Sequence, residues 1–551
     1  MTTVNRNDLR IKNAANLILS LSSTDFQDSY VFIGKPTLWT TDVIDNLLPR
    51  TQAGDESPPV PDNSWREFYE THDEIISLKK VTRDSARFMI PRNTWTSGLV
   101  YDIYRHDYNE VRRSFSNATH LYDAFFVVIN SSREVYVCLD NNNNSESLVE
   151  PNVSTLLTAD PFYTSDGYQW LYLYTISTIE ERSVSTNNLI PISHLKCNNL
   201  DAGGVYTIII ESRGNDYTNN PPGINQTNKL PFETQIDDYF CRIVGDGTGA
   251  VAKITVEGGK IKEARVANNG SGYTFGKVDF TAGRVYRSIS ELNENQNGLD
   301  PLGDGTFRST VIIQPPGGWG HKDTQNQVDV EFETETKLAR QLGGTRVGIF
   351  SRLGSEDRDP DFLQSSTFRQ VGLIQEITGH EIDNAGQPFP DTLSNLFSVV
   401  VREVDSDTEE GVAADDYLIG ETIFQVKQDP DDPTVKHVAK GTLVDFRRTE
   451  NTQGDVITIL SYIQNPRYNG DDTFGQLYPF EGTDIIEGQI SGKKSVPDTS
   501  YFGELNDRNY DSGYAIPEYD RYSGLITYLA HEMPIERSAT QTERISLVIG
   551  Y

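Results

Sequence analysis

The segment that most constrains the fold is residues 245–266, GDGTGAVAKITVEGGKIKEARV. Its first glycines resemble a phosphate-binding loop, but a Walker loop has the form GxxxxGK[ST] and opens a helix. Here every second residue from Ala252 to Val256 is apolar, which is the period of a strand. Gly258-Gly259 is typical of a two-residue hairpin turn. The segment therefore predicts a β-hairpin, since no helix N-terminus follows where a phosphate would bind.

A second pattern lies on both sides of this predicted hairpin. Residues 212–220, SRGNDYTNN, resemble residues 267–275, ANNGSGYTF, because both place an Asn/Gly turn before Tyr-Thr. The spacing between Tyr217 and Tyr273 suggests a degenerate β repeat. We expect the glycines to supply positive φ angles in turns.

Most of the remaining chain alternates short strand-like runs with Gly, Asn, Asp and Pro turns. Residues 135–144 predict a strand that enters an Asn-rich turn, and residues 168–176 predict a strand of aromatic and β-branched residues. Helical spacing occurs in residues 8–21, and a short helix is expected at 333–342. The predicted fold class is mainly β, with β-sandwich-like domains, a few helices and inserted β-rich subdomains.

Charge and cysteine content narrow the classes of partner. The 551 residues include 80 Asp and Glu against 48 Lys and Arg, a formal net charge of −32. Such a surface repels nucleic acids and anionic membranes, so neither is expected as a partner. The three cysteines, Cys138, Cys197 and Cys241, form no CxxC pair, which fits synthesis in a reducing compartment. The apolar run at 18–22 is too short for a signal peptide or a membrane span.

Four segments resemble parts of functional sites, but each lacks a residue that the chemistry of such a site requires. The sequence HEMPI at 531–535 lacks the second histidine of a zinc helix, and residues 491–495, SGKKS, lack the Walker glycine and read as a charged turn. Residues 405–416 carry acidic ligands near calcium-loop offsets, but the required glycine is one place late. His321 lies in a Gly-rich loop without a local nucleophile or orienting acid. No catalytic, cofactor-binding or metal-binding residue is predicted, although distant carboxylates remain able to meet in the folded chain.

Six segments, taken in chain order, resemble one family. They are YVFIGKPTLWTTD (30–42), ISLKKVTRDSARFMIPRNTW (76–95), EVYVCLDNN (134–142), DGYQWLYLYTI (166–176), STFRQVGLIQEI (366–377) and SGLITYLAHEMPIERSATQTERISLVIGY (523–551). The family is the gene 8 baseplate wedge subunit of T-even-like contractile-tailed bacteriophages. The order of the segments and both ends of the chain agree with this resemblance.

The resemblance implies two β-sandwich-like domains, one set into a loop of the other, and a homodimer within each wedge of a sixfold baseplate. It implies no catalytic residue. Two long stretches depart from the family, and both have the character of surface-loop insertions. The domain division that follows is 1–204, an N-terminal wedge region of a helix and a β-sandwich; 205–320, an inserted Gly-rich β region; 321–379, a wedge β region; 380–520, an inserted β-rich region with acidic loops; and 521–551, C-terminal strands that complete the wedge fold.

Five residues are candidate anchors of an assembly interface or of the core: Trp39, Arg92, Trp95, Tyr168 and Trp170. Aromatic and arginine side chains are enriched at the energetic centres of interfaces. For each aromatic residue the competing interpretation is ordinary core packing. For Arg92 it is an ion pair within the fold.

The expected function is that of a structural virion protein without enzyme activity. As a baseplate wedge subunit it would join other wedge proteins and relay the rearrangement that triggers sheath contraction. It would be located in the tail baseplate, and in the host cytoplasm during assembly. The alternative is a carbohydrate-binding or depolymerising tail protein that acts on the host surface, since two positioned carboxylates suffice for glycoside hydrolysis.

Overall fold

The computed structural model describes most of the chain. The described residues are 6–21, 29–39, 56–152, 161–193, 203–217, 238–294, 298–315, 329–353, 367–379, 391–403, 416–428, 436–450, 456–470, 476–505, 508–536 and 543–550. The chain divides into two compact units. Unit 1 contains Met1–Ile18, Arg87–Ile349 and Leu547–Tyr551, and unit 2 contains Leu19–Ala86 and Phe350–Ser546.

Strands make up 44% of the structure and helices 13%, in several antiparallel sheets, a six-stranded barrel and a half-barrel. The helices of the described residues are α1 Arg6–Ser20, α2 Trp65–Glu74, α3 Thr178–Ser183, α4 Ile289–Asn293, α5 Asp329–Leu342 and α6 Pro466–Asn469. The strands up to residue 313 are β1 Ser29–Gly34, β2 Ile75–Lys80, β3 Ala86–Pro91, β4 Val127–Ile129, β5 Glu134–Asp140, β6 Phe162–Tyr163, β7 Gln169–Thr175, β8 Leu189–Pro191, β9 Val205–Ser212, β10 Asp238–Gly245, β11 Val251–Glu257, β12 Lys260–Asn268, β13 Gly276–Val278, β14 Val285–Tyr286 and β15 Arg308–Ile313. The later strands are β16 Arg346–Leu353, β17 Phe368–Gln375, β18 Thr392–Ser394, β19 Phe397–Glu403, β20 Thr422–Gln428, β21 Lys436–Glu450, β22 Val456–Ile463, β23 Ile486–Gly488, β24 Lys494–Pro497, β25 Gly503–Leu505, β26 Arg508–Tyr510, β27 Tyr514–Ala515, β28 Leu525–Ile535 and β29 Glu543–Gly550.

Unit 1 contains a four-stranded sheet in the order β4-β5-β7-β6 and a second sheet in the order β12-β11-β10-β13. Strand β14 pairs with β10, and β9 pairs with β15. The predicted hairpin is confirmed, because β11 and β12 pair antiparallel around Gly258 and Gly259. Both glycines have positive φ, 59° and 76°. The GDGTGA segment thus leads into a strand, as the sequence pattern predicts.

The tyrosines of the two Tyr-Thr segments lie in one core. Tyr217 and Tyr273 are both buried in the same apolar cluster. Each ring lies against a glycine of a Gly-Asp-Gly-Thr turn, so that a Cβ on Gly247 would meet Tyr273 at 2.3 Å and one on Gly303 would meet Tyr217 at 1.8 Å. The second of these turns, residues 303–306, repeats the sequence of the first at 245–248. The repeat therefore includes a Gly-Asp-Gly-Thr turn beside each tyrosine, which the Tyr-Thr pattern alone did not indicate.

Replacing Gly270 by alanine is expected to lower the free energy of unfolding more than replacing Gly258. Both glycines have a φ of 59°. At Gly270 a Cβ would lie 2.4 Å from the Ala250 nitrogen, whereas at Gly258 it would meet nothing within 4 Å. The left-handed backbone costs an alanine about 1 kcal/mol at either position, and the clash raises the cost at Gly270 to roughly 3 kcal/mol. Urea unfolding of both variants measures the difference, and equal losses would contradict it.

Unit 2 is organised around an antiparallel five-stranded sheet in the order β18-β2-β1-β17-β28. The register places Phe32 opposite Leu78 and Gly372. Leu373 lies opposite Tyr528 on the next strand. Phe32 and Leu78 are fully buried in the core of this sheet.

The barrel lies within residues 397–497 of unit 2. Neighbouring strands follow the order β22-β21-β20-β23-β24-β19, and an additional pairing of β19 with β22 closes the circle. Its interior contains buried apolar residues such as Val399, Ile423, Leu443 and Leu460. Closure leaves the barrel strands without a free edge along this circle.

The predicted mainly β class with few helices is confirmed. The helices expected at 8–21 and 333–342 are confirmed as α1 and α5. The sequence patterns did not locate α2, whose inward face is charged instead of apolar, or the short helices α3, α4 and α6. The five domain boundaries stay predictions. His321 and residues 405–415 of the acidic loop lie outside the described residues.

Candidate interaction surface

Three of the predicted anchors belong to one aromatic core in unit 1. Tyr168 and Trp170 are fully buried and stack with their ring centroids 5.4 Å apart. Trp95 packs against this core from a half-buried position, and its indole nitrogen donates to Ser147 Oγ at 3.1 Å. Tyr101 meets Trp170 edge to face at 5.8 Å. In the isolated chain these residues pack within the fold, and their use in an interface stays a prediction.

Arg92 follows the end of β3 and forms an ion pair with α3. Its Nη2 lies 2.8 Å from Glu181 Oε1, and both side chains are about one quarter exposed. A second guanidinium nitrogen donates to the Thr186 carbonyl oxygen at 3.4 Å. The sequence analysis gave two interpretations of Arg92, an ion pair within the fold and an intersubunit contact. The structure contains the ion pair within the fold.

Trp39 is the one predicted anchor that lies in unit 2. Its indole nitrogen donates to the Glu532 carbonyl oxygen at 3.0 Å, and its ring centroid lies 4.4 Å from that of His531. Only 7% of the side chain is exposed. Trp39 therefore fastens the segment after β1 to strand β28 and supports the surface described next.

A group of large apolar side chains in unit 2 remains exposed. Its members, here called the apolar surface, are Leu38, Val60, Trp65, Tyr69, Tyr522, Leu525, Tyr528 and Met533. Trp65 is 75% exposed and Val60 88%. The rings of Tyr69 and Tyr522 contact each other at 5.7 Å, which joins α2 to the segment before β28. Scattered exposed apolar residues are normal, but the exposed rings of Trp65, Tyr69 and Tyr522 contact one another in sequence, and a group of this kind indicates an interaction site.

Strand β28 gives this surface an open backbone edge. Its eleven residues, LITYLAHEMPI, include a single carboxylate, Glu532, and its side chains are mostly exposed or half-buried. One edge pairs with β17, and no strand among the described residues pairs with the other. Natural proteins usually protect such edges with charges, prolines or bulges. Pro534 and the Trp39 contact to the Glu532 carbonyl oxygen protect the end of β28 in this way. The earlier part of β28, from Leu525 to Ala530, is the part suited to strand addition by a partner.

Buried ion pairs hold α2 behind the apolar surface. Lys35 Nζ lies 2.8 Å from Glu74 Oε1, and both side chains are nearly inaccessible. Burial acts to lower the pKa of Lys35, but the Glu74 carboxylate outweighs it, so the pKa is raised. His531 Nε2 lies 3.1 Å from Glu67 Oε1. Removing Lys35 or Glu74 would leave the other as an uncompensated buried charge, so this ion pair helps to fix the position of the helix.

The C-terminal end of α2 is tied to the segment that leads to β28. The Tyr522 hydroxyl donates to Asp73 Oδ1 at 2.6 Å. Burial raises the pKa of Asp73, and burial together with the hydrogen bond to Asp73 raises the pKa of Tyr522 to about 12. The Arg521 guanidinium donates to the Asp73 carbonyl oxygen at 2.7 Å. The exposed ring of Tyr522 is therefore held in a defined orientation.

Acidification is expected to destabilise unit 2 through His72. This fully buried side chain has a pKa lowered by burial to about 4. Between pH 6.5 and 4 the unfolded state takes up a proton that the folded state does not, so the free energy of unfolding falls by about 3 kcal/mol. A His72→Phe variant, which preserves packing against Phe68, lacks this contribution. Urea unfolding at pH 6.5 and 4 compares the two proteins, and identical pH dependence would contradict the expectation.

Sequence reasoning missed both α2 and the apolar surface. Ser64 Oγ accepts a hydrogen bond from the Glu67 nitrogen at 3.1 Å, so the S-x-x-E pattern of a helix start was present. The inward side of α2 carries Glu67, His72, Asp73 and Glu74, which gives no apolar periodicity. The low charge of LITYLAHEMPI was the available signal for the exposed strand.

The described residues contain no group of three or more His, Cys, Asp or Glu placed to hold a metal ion. The HEMPI sequence lies in β28, which is a strand, so it lacks the helical spacing of a zinc site. Cys138 and Cys241 are buried free thiols whose pKa is raised by burial. Within the described part of the chain, no helix combines the length and apolar character needed to span a bilayer.

No protein-family model matches this sequence, and comparison with the curated proteins finds no match.

Proposed function

We propose that the chain is a structural, non-enzymatic virion protein, a baseplate wedge subunit of a contractile phage tail. It joins neighbouring wedge proteins and relays the rearrangement that triggers sheath contraction. The observation that carries this proposal is that resembling segments far apart in the sequence are neighbours in one sheet, whose outer strand is exposed. The resemblance itself rests on six sequence segments, and four of them contribute neighbouring strands of this sheet.

The coincidence is specific to the five-stranded sheet of unit 2. Segments 30–42, 76–95, 366–377 and 523–551 contribute β1, β2, β17 and β28, which are consecutive in the sheet order β2-β1-β17-β28. Chance similarities spread over more than 500 residues have no reason to meet in one sheet. Segments 134–142 and 166–176 likewise contribute β5 and β7, which pair with each other.

The apolar surface supports a role in assembly. Stable protein interfaces have a core of aromatic and apolar residues and are depleted of charge there. In a chain of net charge −32 the nearly uncharged β28 is a place where another acidic protein can approach without strong repulsion. The partners are other wedge proteins, and the resemblance implies a second copy of this chain within each wedge. Nucleic acid and membrane are not partners in this proposal.

The relay function requires interfaces that have two stable arrangements. Small shifts at one site then become large movements of an assembly, because such an interface switches from one arrangement to the other. A subunit that supplies such interfaces needs a rigid frame and an exposed contact surface instead of a chemical site. The ion pairs beneath α2 provide the rigid frame in unit 2. In this proposal the chain belongs to the tail baseplate of the virion, and to the host cytoplasm during assembly.

Immunogold electron microscopy tests the proposal. Antiserum to this chain is applied to contractile-tailed particles from the source culture. Gold at the baseplate rim is the expected result. Gold on fibres or spikes would favour the carbohydrate-binding alternative, and particles that stay unlabelled after mild disassembly would count against a virion role.

A further inference from the structure

A polar cleft in unit 1 has no part in the proposed assembly function. Its volume is about 420 Å³, within the range of sites that bind small molecules. The lining comes from the segment after β5, from β9 and β12, and from residues 103–115. Isoleucines of β9 form part of its wall, and Phe115 lies at the cleft with 58% of its side chain exposed. An open cleft with an aromatic face and polar groups can hold a ligand from two sides.

One wall of the cleft is a turn of four asparagines held in a demanding conformation. Asn142, Asn143 and Asn144 have φ angles of 50°, 58° and 60°. Each left-handed residue costs roughly 1 kcal/mol even where asparagine tolerates it. The buried Asn141 holds the turn, since its Nδ2 donates to the Tyr101 carbonyl oxygen and to Asn144 Oδ1, both at 2.9 Å. The outer asparagine side chains are thereby presented at the cleft in a fixed arrangement.

Several polar groups of this wall are not used within the fold. Among the described residues, no hydrogen bond involves the side chain of Asn143, the Nδ2 of Asn144 or the Oδ2 of Asp140. Asp140 Oδ1, in contrast, accepts from the Asn142 nitrogen at 2.9 Å. The cleft therefore offers two amide donors and two acceptors side by side. Burial raises the pKa of Asp140, in keeping with its position at the base of this wall.

Each cationic side chain of the cleft is already paired with a carboxylate. The four pairs are Arg105 with Asp107 at 2.8 Å, Arg113 with Glu110 at 2.8 Å, Lys262 with Glu257 at 2.7 Å, and Arg265 with Glu263. An anionic ligand would have to compete with these carboxylates. A ligand without charge can use the free amide and carboxylate groups and leave the pairs intact.

We propose that the cleft binds a neutral saccharide. Adjacent hydroxyl groups of a sugar both donate and accept, as the side chains of Asn143, Asn144 and Asp140 require of a partner. The C–H face of a sugar ring packs on an aromatic ring, and Phe115 supplies an exposed one. This inference concerns unit 1 and goes beyond the wedge function, which rests on unit 2. Binding of a host-surface glycan would give the particle a contact with its host in addition to the assembly role.

The test is a glycan array that displays neutral and acidic bacterial oligosaccharides, probed with the full chain. The strongest neutral glycan is then measured by calorimetry against variants. Asn143→Gly removes the free amide at a positive φ that glycine adopts without strain. Phe115→Ala removes the exposed ring. Each is expected to weaken binding at least tenfold, with thermal unfolding unchanged. Ser512→Gly, at another positive φ in unit 2, is the control and is expected to bind as the original chain does.

Two kinds of result would overturn this inference. The first is an array on which no neutral glycan binds, including one on which only acidic glycans bind. The second is a neutral glycan whose affinity is the same for Asn143→Gly, Phe115→Ala and the original chain, because binding would then lie elsewhere. Neither result bears on the wedge proposal, which immunogold labelling tests separately.

Discussion

Replacing Trp170 by alanine is expected to lower the free energy of unfolding of unit 1 by about 3–5 kcal/mol, the cost of truncating a large aromatic residue in a packed core. Trp170 is fully buried, with Tyr168 stacked on it and Tyr101 against its edge. The cavity would be lined by these rings, and its collapse is opposed because pairing with Cys138 of β5 holds the backbone at Trp170 in place. Calorimetry and urea unfolding of the full chain measure the loss.

Two further variants make this expectation specific. Trp65→Ala removes the same side chain from a position that is 75% exposed, and its effect on unfolding is expected to stay within about 0.5 kcal/mol. Trp170→Phe retains most of the ring contacts and removes an indole N–H that has no hydrogen-bond partner among the described residues. It is expected to cost less than half as much as alanine. Equal losses for Trp170→Ala and Trp65→Ala would contradict the assignment of Trp170 to the core.

A chain with Tyr528→Lys and Met533→Lys is expected to fold normally and to fail in assembly. Both side chains are exposed on β28, at 37% and 61%. Lysines on an edge strand oppose the approach of another strand, and the loss of two interface anchors at about 2 kcal/mol each corresponds to a loss of affinity of roughly a thousandfold. The measurement is incorporation of the variant into particles, by immunoblot, in an infection whose native gene carries an amber codon.

The matched control is Ile490→Lys. Ile490 is 74% exposed in unit 2 and lies outside the apolar surface, so this variant adds a lysine at an exposed apolar position without touching β28. It is expected to enter particles at the level of the original chain. If the double variant entered particles equally well, the apolar surface would not be an assembly interface.

The parts of the fold that could be predicted from the sequence are those that depend on residues close together in the chain. The hairpin at Gly258-Gly259 depends on residues within one turn, and α1 depends on apolar spacing within fifteen residues. Helix α2 was not predicted because its buried side chains are polar. Glu67 contacts His531 and Glu74 contacts Lys35, and both partners lie far from α2 in the sequence. Periodicity cannot reveal a buried face that is charged.

Features that depend on long-range pairing were not predictable from the sequence. The barrel closes only when β19 pairs with β22 and β24, and the repeat around Tyr217 and Tyr273 is complete only with the distant turn at 303–306. Anchors such as Trp170 and Trp39 were identified by residue type, which does not distinguish core from interface. The solvent exposure of β28 and the cleft beside Phe115 arise only when the chain is folded, so the sequence patterns could not predict them.

A cryo-electron microscopy reconstruction of the baseplate, from contractile-tailed particles of the source culture, tests the central claim most directly. The wedge proposal predicts density for both units of this chain in each wedge, with β28 buried against a neighbouring subunit. A reconstruction that accounts for every wedge density with other chains, or that places this chain only in fibres or spikes, would contradict it.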